Sequence, residues 1–210
     1  AFLASEATVF VFMSSIKARE GKDETASAYS QSKYQAEQYI MAQKLPLGKR
    51  VYVLRPVMVH GPGNKGNLNL LFNVVRKLGV WPLAAFDNKR SFVSVENLCF
   101  IIKVLIENDT VVSGIYEVAD PEALSTNRLV ALAGHALEKK VVFLNFPKGL
   151  VRLLATLGDV LPLPLNTERL EKLTENAVVD SNKLIKAIGK PFPESTHAGF
   201  KKTFESFVNE

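Results

Sequence analysis

The chain has 210 residues, of which 47% are hydrophobic and 22% charged, with a formal net charge of +5. This is an ordinary globular composition, long enough for one domain or a domain with a lobe, and the modest positive charge reads as solvated surface. It excludes a disulfide framework, since Cys99 is the one cysteine, a metal cluster, since His60, His135 and His197 form no ligand motif, and a nucleic-acid surface, since no basic run is interleaved with aromatics.

In chain order, residues 9–13 (VFVFM) are an apolar run suited to a parallel strand covered on both faces. It closes on Ser14 and Ser15, and residues 17–25 are a polar loop. Ser27 can cap a helix that runs to about Lys44, ahead of Pro46, with Ala36 and Ile40 on its apolar face. Tyr29 and Lys33 are four residues apart in it, so their side chains project from one face. An ammonium near a phenol favours the phenolate, which makes Tyr29 a candidate general base. Ser14 and Ser15 could offer a hydroxyl to the same substrate atom.

Residues 51–54 read as a second buried strand, closed by Arg55 and Pro56. Residues 58–67 are a loop whose glycines allow positive φ, without the Gly-Lys-Ser/Thr ending of a Walker loop. Asn67 either caps the helix over 68–78, which stops at Gly79, or touches a ligand. Residues 80–86 surround Trp81, as a wall against a base or as plain core, and 87–89 are a turn. Residues 90–95 alternate like a strand. The helix over 96–107 has Leu98, Ile101, Ile102 and Leu105 on its apolar face, and Cys99 is expected in the core. A strand over 114–118 follows, then a helix over 127–137 capped by Ser125 or Thr126, a strand over 141–146 and helices over 148–157, 167–174, 181–188 and 197–208. The longest apolar stretch, 150–165, is interrupted by Arg152, Asp159, Pro162 and Pro164 and falls short of the about 20 apolar residues a spanning helix needs. The opening residues, AFLASEATVFVF, do not resemble a signal peptide, so none is expected. A cytoplasmic protein without membrane insertion is expected. The alternation of strand and helix argues for α/β with parallel strands.

Five segments, VFVFMSSIKA, AYSQSKYQAEQ, LRPVMVHGPGNKGN, RSFVSVENL and VVDSNKLIKAIGKPFP, are ordered and spaced as in the extended short-chain dehydrogenases/reductases. The chain resembles in particular the NAD-dependent nucleotide-sugar epimerases and dehydratases of that family, of the UDP-glucose 4-epimerase kind. The resemblance implies that Tyr29 is the catalytic base, that Lys33 holds the nicotinamide ribose and favours the Tyr29 phenolate, and that Ser15 binds the reacting hydroxyl. Ser14 and Pro56 then lie beside the cofactor, NAD, with NADP left open. Asn67 and Asn69 are the nearest equivalents of residues that touch the nucleotide. Arg90 matches the arginine that binds the diphosphate of a UDP-sugar, a role suited to a guanidinium fork. Two departures fall on the substrate-facing loop: Tyr29 comes only 14 positions after Ser15, and the usual Val-Tyr-Gly is replaced near Ala18-Arg19-Glu20-Gly21. Ser15-Ile16-Lys17 stands where 4,6-dehydratases carry Thr-Asp-Glu, so elimination of water is not expected.

The implied fold is a partial Rossmann-like parallel sheet lacking its amino-terminal part, plus a smaller mixed α/β substrate-binding lobe. Residues 1–57 would be the remainder of the dinucleotide-binding domain, and 58–210 mainly the lobe, with segments returning to the sheet. The glycine turn and acidic residue that open a dinucleotide fold are not in the sequence. These residues are therefore read as the carboxyl-terminal part of a longer protein, expected on their own neither to bind NAD tightly nor to turn over substrate. An apolar strand edge at Val9 would invite a second chain, which leaves room for a homodimer. The readings carried forward are a UDP-hexose 4-epimerase, a nucleotide-4-ketosugar reductase, a non-catalytic sugar-nucleotide-binding module, and a sterol or flavonoid-type reductase, against which Arg90 argues.

Overall fold

The computed structural model describes residues 1–64, 67–161 and 165–208. The elements in order are β1 (Val9–Met13), a 3-10 helix (Ile16–Glu20), α1 (Ala28–Met41), β2 (Arg50–Pro56), β3 (Met58–His60), α2 (Asn67–Leu78), β4 (Val80–Trp81), β5 (Phe92–Ser94), α3 (Val95–Glu107), β6 (Gly114–Val118), α4 (Thr126–Ala136), β7 (Val142–Phe143), α5 (Lys148–Val160), α6 (Thr167–Thr174), α7 (Asn182–Ile188) and α8 (Thr196–Val208). A further 3-10 turn, Phe2–Ala4, precedes β1. The chain divides into two compact units: Ala1–Val59, Val93–Pro121 and Val179–Ser195 form one, and His60–Phe92, Glu122–Val178 and Thr196–Glu210 the other.

The first unit is built on a three-stranded parallel sheet in the order β1-β2-β6. Val9 pairs with Arg50 and Met13 with Leu54, and on the other side Tyr52 pairs with Gly114 and Pro56 with Val118. The central strand is the buried one: Val51 to Leu54 are closed to solvent. α3 and α7 bring Ile101, Val104, Leu105, Leu184 and Ile188 into the same core as Tyr52, Leu54 and Val118. Ser94 caps α3 by accepting the Asn97 amide, and Asp120 accepts from the Ser94 amide and the Asn97 side chain. β1 does not have the two covered faces its composition predicts. Its strand edge is unpaired among the described residues, as expected at Val9, but its faces are only half-buried along its length and exposed at Met13. Cys99 is likewise exposed, because it lies off the stripe on which α3 presents Leu98, Ile101 and Leu105 to the core.

α1 docks by polar groups. Ala36 and Ile40 are only half-buried, while Ser30 and Glu37 are its buried residues. Glu37, fully buried, accepts the Ser14 hydroxyl and two hydrogen bonds from Arg55 Nε at 2.9 and 3.1 Å, with Arg55 Nη2 closing the fork. The helix ends at Met41, three residues before the predicted Lys44, and so is clear of Pro46. The expected loop over 17–25 instead winds a 3-10 turn whose Ala18 is fully buried and which packs on α1. Gly21 ends that turn, and a Cβ there would lie 2.2 Å from the Ser30 carbonyl oxygen, so only glycine lets the loop close on the helix.

In the second unit an aromatic core joins α2 to α8. Phe72 stacks on Phe204, and Phe200 packs between the His60 ring at 3.9 Å and Phe92 at 5.0 Å. β4 and β7 pair in parallel, but β7 is two exposed residues rather than the strand predicted over 141–146. Trp81 is core: it is buried and its indole N–H donates to Asn127 at 2.8 Å. The turn expected at 87–89 lies earlier, after Trp81. Asn88 is buried, donates to Thr126 and to the carbonyls of Leu173 and Glu175, and accepts the Thr126 amide. Lys65, Gly66 and the side chain of Asn67, and Pro162 and Pro164 of the apolar stretch, lie outside the described residues.

Removing Glu37 takes from the partly buried Arg55 its main partner and leaves it the 3.9 Å contact to Glu117, at a cost of roughly 1.5–3 kcal/mol, the range for hydrogen bonds to charged groups. Glu37→Ala is therefore expected to lower unfolding stability by about that much, read as a shift in the denaturant midpoint. An unchanged midpoint would show that α1 is not held through Glu37.

Candidate active site

The carboxyl ends of β1 and β2 gather the first set of candidate residues, as expected where open α/β sheets bind ligands. Ser14 and Ser15 follow β1, Arg55 and Pro56 end β2, and α1 lays its Tyr29, Lys33 and Glu37 face across them. The three side chains are successive i, i+4 neighbours, so one face serves them all. Lys33 Nζ donates to the Met13 carbonyl at 2.9 Å, and one turn further on Glu37 accepts from Ser14. Two consecutive residues at the end of β1 are thus tied to two consecutive turns of the helix.

That anchoring leaves Tyr29 presented to solvent in the first turn, 53% exposed. The Lys33 ammonium lies 5.9 Å from the centre of its ring and 5.1 Å from that of Phe12. Ser27 caps the helix by accepting the Ser30 amide. Ser15 is half-buried, and its Oγ caps the 3-10 turn by accepting the Lys17 amide at 3.3 Å, which leaves the hydroxyl proton for another acceptor. Pro56 is buried in the sheet. A phenol, an ammonium and a hydroxyl arranged around one strand end can bind a hydroxylated substrate carbon and move its proton.

Around this set runs a charged chain that sequence reading did not single out. Arg55 joins Glu37 to Glu117, its Nη1 lying 3.9 Å from the Glu117 carboxylate, and Arg19 of the 3-10 turn makes a two-pronged contact with the same Glu117. The hydrogen bonds that Arg55 donates to Glu37 raise the Arg55 pKa above its ordinary value, against the effect of burial. The i+4 step from Lys33 to Glu37 was the available signal, since it puts a carboxylate on the face that carries the candidate base.

The other candidates belong to the second unit. Asn69, half-buried in α2, accepts from the Asn73 amide group at 3.2 Å. Arg90 is not a free surface arginine. Its backbone exchanges hydrogen bonds with Leu124, its Nη1 donates to the Lys172 carbonyl at 2.6 Å, and its Nη2 lies 3.7 Å from the Glu175 carboxylate. The guanidinium also lies 5.8 Å from the Phe92 ring centre. Among the described residues no helix is long and apolar enough to cross a membrane.

The chain was compared with known proteins by sequence and by fold. The chain is 30% identical over 212 aligned residues to a UDP-glucose 4-epimerase of Vibrio cholerae, covering 95% of this chain and 63% of that protein. It is 25% identical to the N-acetyl-α-D-glucosaminyl-diphospho-ditrans,octacis-undecaprenol 4-epimerase of Escherichia coli O157:H7, over 84% of this chain and 56% of that one. The chain thus spans about three fifths of the length of these relatives. The fold matches that of the Bordetella bronchiseptica enzyme WbmG, solved in complex with NAD, at a TM-score of 0.65 and 15% identity, over 97% of this chain and 60% of that one. The family model described as the 3-beta hydroxysteroid dehydrogenase/isomerase family matches residues 5–115, more than half of the chain. The chain belongs to that 3-beta hydroxysteroid dehydrogenase/isomerase family, within the extended short-chain dehydrogenases/reductases.

Proposed function

We propose that the whole protein is an NAD-dependent nucleotide-sugar 4-epimerase acting on a UDP-hexose. The observation that carries this reading is the clamped face of α1: Lys33 on the Met13 carbonyl and Glu37 on Ser14 hold Tyr29 at the end of the parallel strand β1. The residues fit the nicotinamide end of the cofactor. Lys33 would hold its ribose, with Ser14 and Pro56 beside it, and when bound the cofactor supplies the hydride acceptor, and afterwards donor, at the sugar C4. NADP in its place stays open.

The chain's own part is proton management and grip. Ser15 donates its proton to the sugar oxygen at C4 and fixes its position. Tyr29 accepts the hydroxyl proton as the C4–H bond gives up hydride, leaving a 4-keto sugar. Return of hydride to the opposite face of C4, with the proton returned from Tyr29, inverts the centre, and atoms and electrons balance without another reagent. Arg90 would pair with the diphosphate, with Asn67 and Asn69 toward the nucleotide. A ketoreductase uses the same residues but releases the oxidised cofactor.

A second reading is that the sugar diphosphate is borne on a polyprenol, as in the Escherichia coli relative. It is favoured by the exposed leucine face of α5 described below, and it leaves the roles of Tyr29, Lys33 and Ser15 unchanged.

In the full-length protein, Tyr29→Phe removes the proton acceptor and keeps the ring. Turnover of UDP-glucose and UDP-galactose is expected to fall roughly 100-fold or more, with the melting temperature unchanged, since positioned bases contribute about 10²–10⁴-fold. Near wild-type turnover would remove Tyr29 from the role. Calorimetry of Arg90→Ala is expected to show weakened UDP binding with NAD binding retained. Equal UDP affinity in the two proteins would release Arg90 from the diphosphate.

A further inference from the structure

α5 has three faces. Val151 and Ala155 are buried in the second unit. Gly158 continues that face, and a Cβ there would lie 1.9 Å from the Leu165 carbonyl oxygen, so the helix is held hard against the returning chain. Lys148, Arg152, Thr156 and Asp159 form a polar stripe, on which the Asp159 carboxylate accepts the Thr167 amide and hydroxyl. The third stripe is Leu150, Leu153, Leu154, Leu157 and Val160, continued by Leu161. All six are exposed, Leu153 to 59% and Val160 to 86%. A helix with a buried stripe and a polar stripe has satisfied the ordinary demands of a surface helix. A third stripe of large aliphatics left in water marks a binding surface.

We propose that α5 lies on the surface of an anionic lipid bilayer. The α5 stripe is purely aliphatic and carries no hydrogen-bonding side chain of the kind found in protein–protein interfaces. The polar stripe beside it carries two cations, Lys148 and Arg152, both exposed, against one carboxylate, Asp159, which stays charged while accepting from Thr167. Between residues 138 and 161 the chain has four basic side chains, Lys139, Lys140, Lys148 and Arg152, against Glu138 and Asp159. An apolar face flanked by Lys and Arg is the pattern of interfacial helices. With 13 residues, α5 is about 20 Å long, too short for the about 30 Å hydrocarbon core, so the helix rests on the surface and does not span it. Val142, Phe143 and Phe146, just before the helix, are exposed as well. The surface is independent of which sugar the site takes.

Flotation of the full-length protein with vesicles of phosphatidylglycerol in phosphatidylcholine, against phosphatidylcholine alone, tests this. The wild type is expected to float with the anionic vesicles and to be released by salt. Leu153→Glu with Leu157→Glu is expected to weaken binding roughly tenfold or more, and the milder Leu153→Ser pair in the same direction. Arg152→Gln is expected to cost about fivefold on anionic vesicles only, the equivalent of about 1 kcal/mol per basic residue. Val112→Glu, at an exposed valine of the first unit, serves as the control and keeps binding. Wild-type protein that stays in the buffer overturns the proposal, as do leucine variants that float like the wild type. An oligomer dissolved by the same substitutions while flotation persists overturns it too, and assigns the face to a second copy. C4 turnover of soluble UDP-hexose by the leucine variants reports separately on the site reading.

Discussion

The Glu37 carboxylate, closed to solvent, is the constraint on which the first unit depends. A buried charge is tolerable only when its lone pairs are met. Here Ser14 meets it from the end of β1 and Arg55 from the end of β2. The strands are in parallel register, so their ends arrive together, and the carboxylate can bridge them only if α1 sits at one rotation and one height. The same rotation aims Lys33 at the Met13 carbonyl and carries Tyr29 out past the strand end. The geometry of the candidate site follows from satisfying one buried charge.

Rigidity is then extended outward by charge rather than by apolar packing. Arg55 passes the link to Glu117 on β6, and Glu117 receives Arg19 from the 3-10 turn that Ser15 caps. The hydroxyl of Ser15 and the phenol of Tyr29 are thus positioned from opposite ends of one chain of ion pairs. Positioning of this kind is where much of a rate enhancement comes from. Gly21 serves the same end by letting the loop close against α1.

Much of this was legible in the sequence, for physical reasons. The i, i+4 step from Tyr29 to Lys33, the apolar run ending in two serines, and the strand over 114–118 follow from local periodicity. What escaped is what periodicity does not encode. Apolar residues usually take the buried side of a helix, which points to Ala36 and Ile40 in α1, whereas a carboxylate takes that place with partners 18 and 23 residues away. Asn88 looked like a turn residue, but its amide was taken up by carbonyls some 85 residues on. Cys99 is flanked by core residues in sequence and lies off their stripe in space. The roles of Asn69 and Arg90 toward a nucleotide rest on resemblance, while the structure shows Arg90 held by the Lys172 carbonyl and Glu175.

The central claim is that a base and a hydride acceptor act together on one sugar carbon. Proton NMR of UDP-glucose incubated with the full-length protein and NAD in deuterated water tests it most directly. The account predicts UDP-galactose with its original hydrogen retained at C4, because hydride leaves and returns without meeting solvent. Deuterium at C4, or no galactose epimer under conditions where the protein is folded, would contradict it.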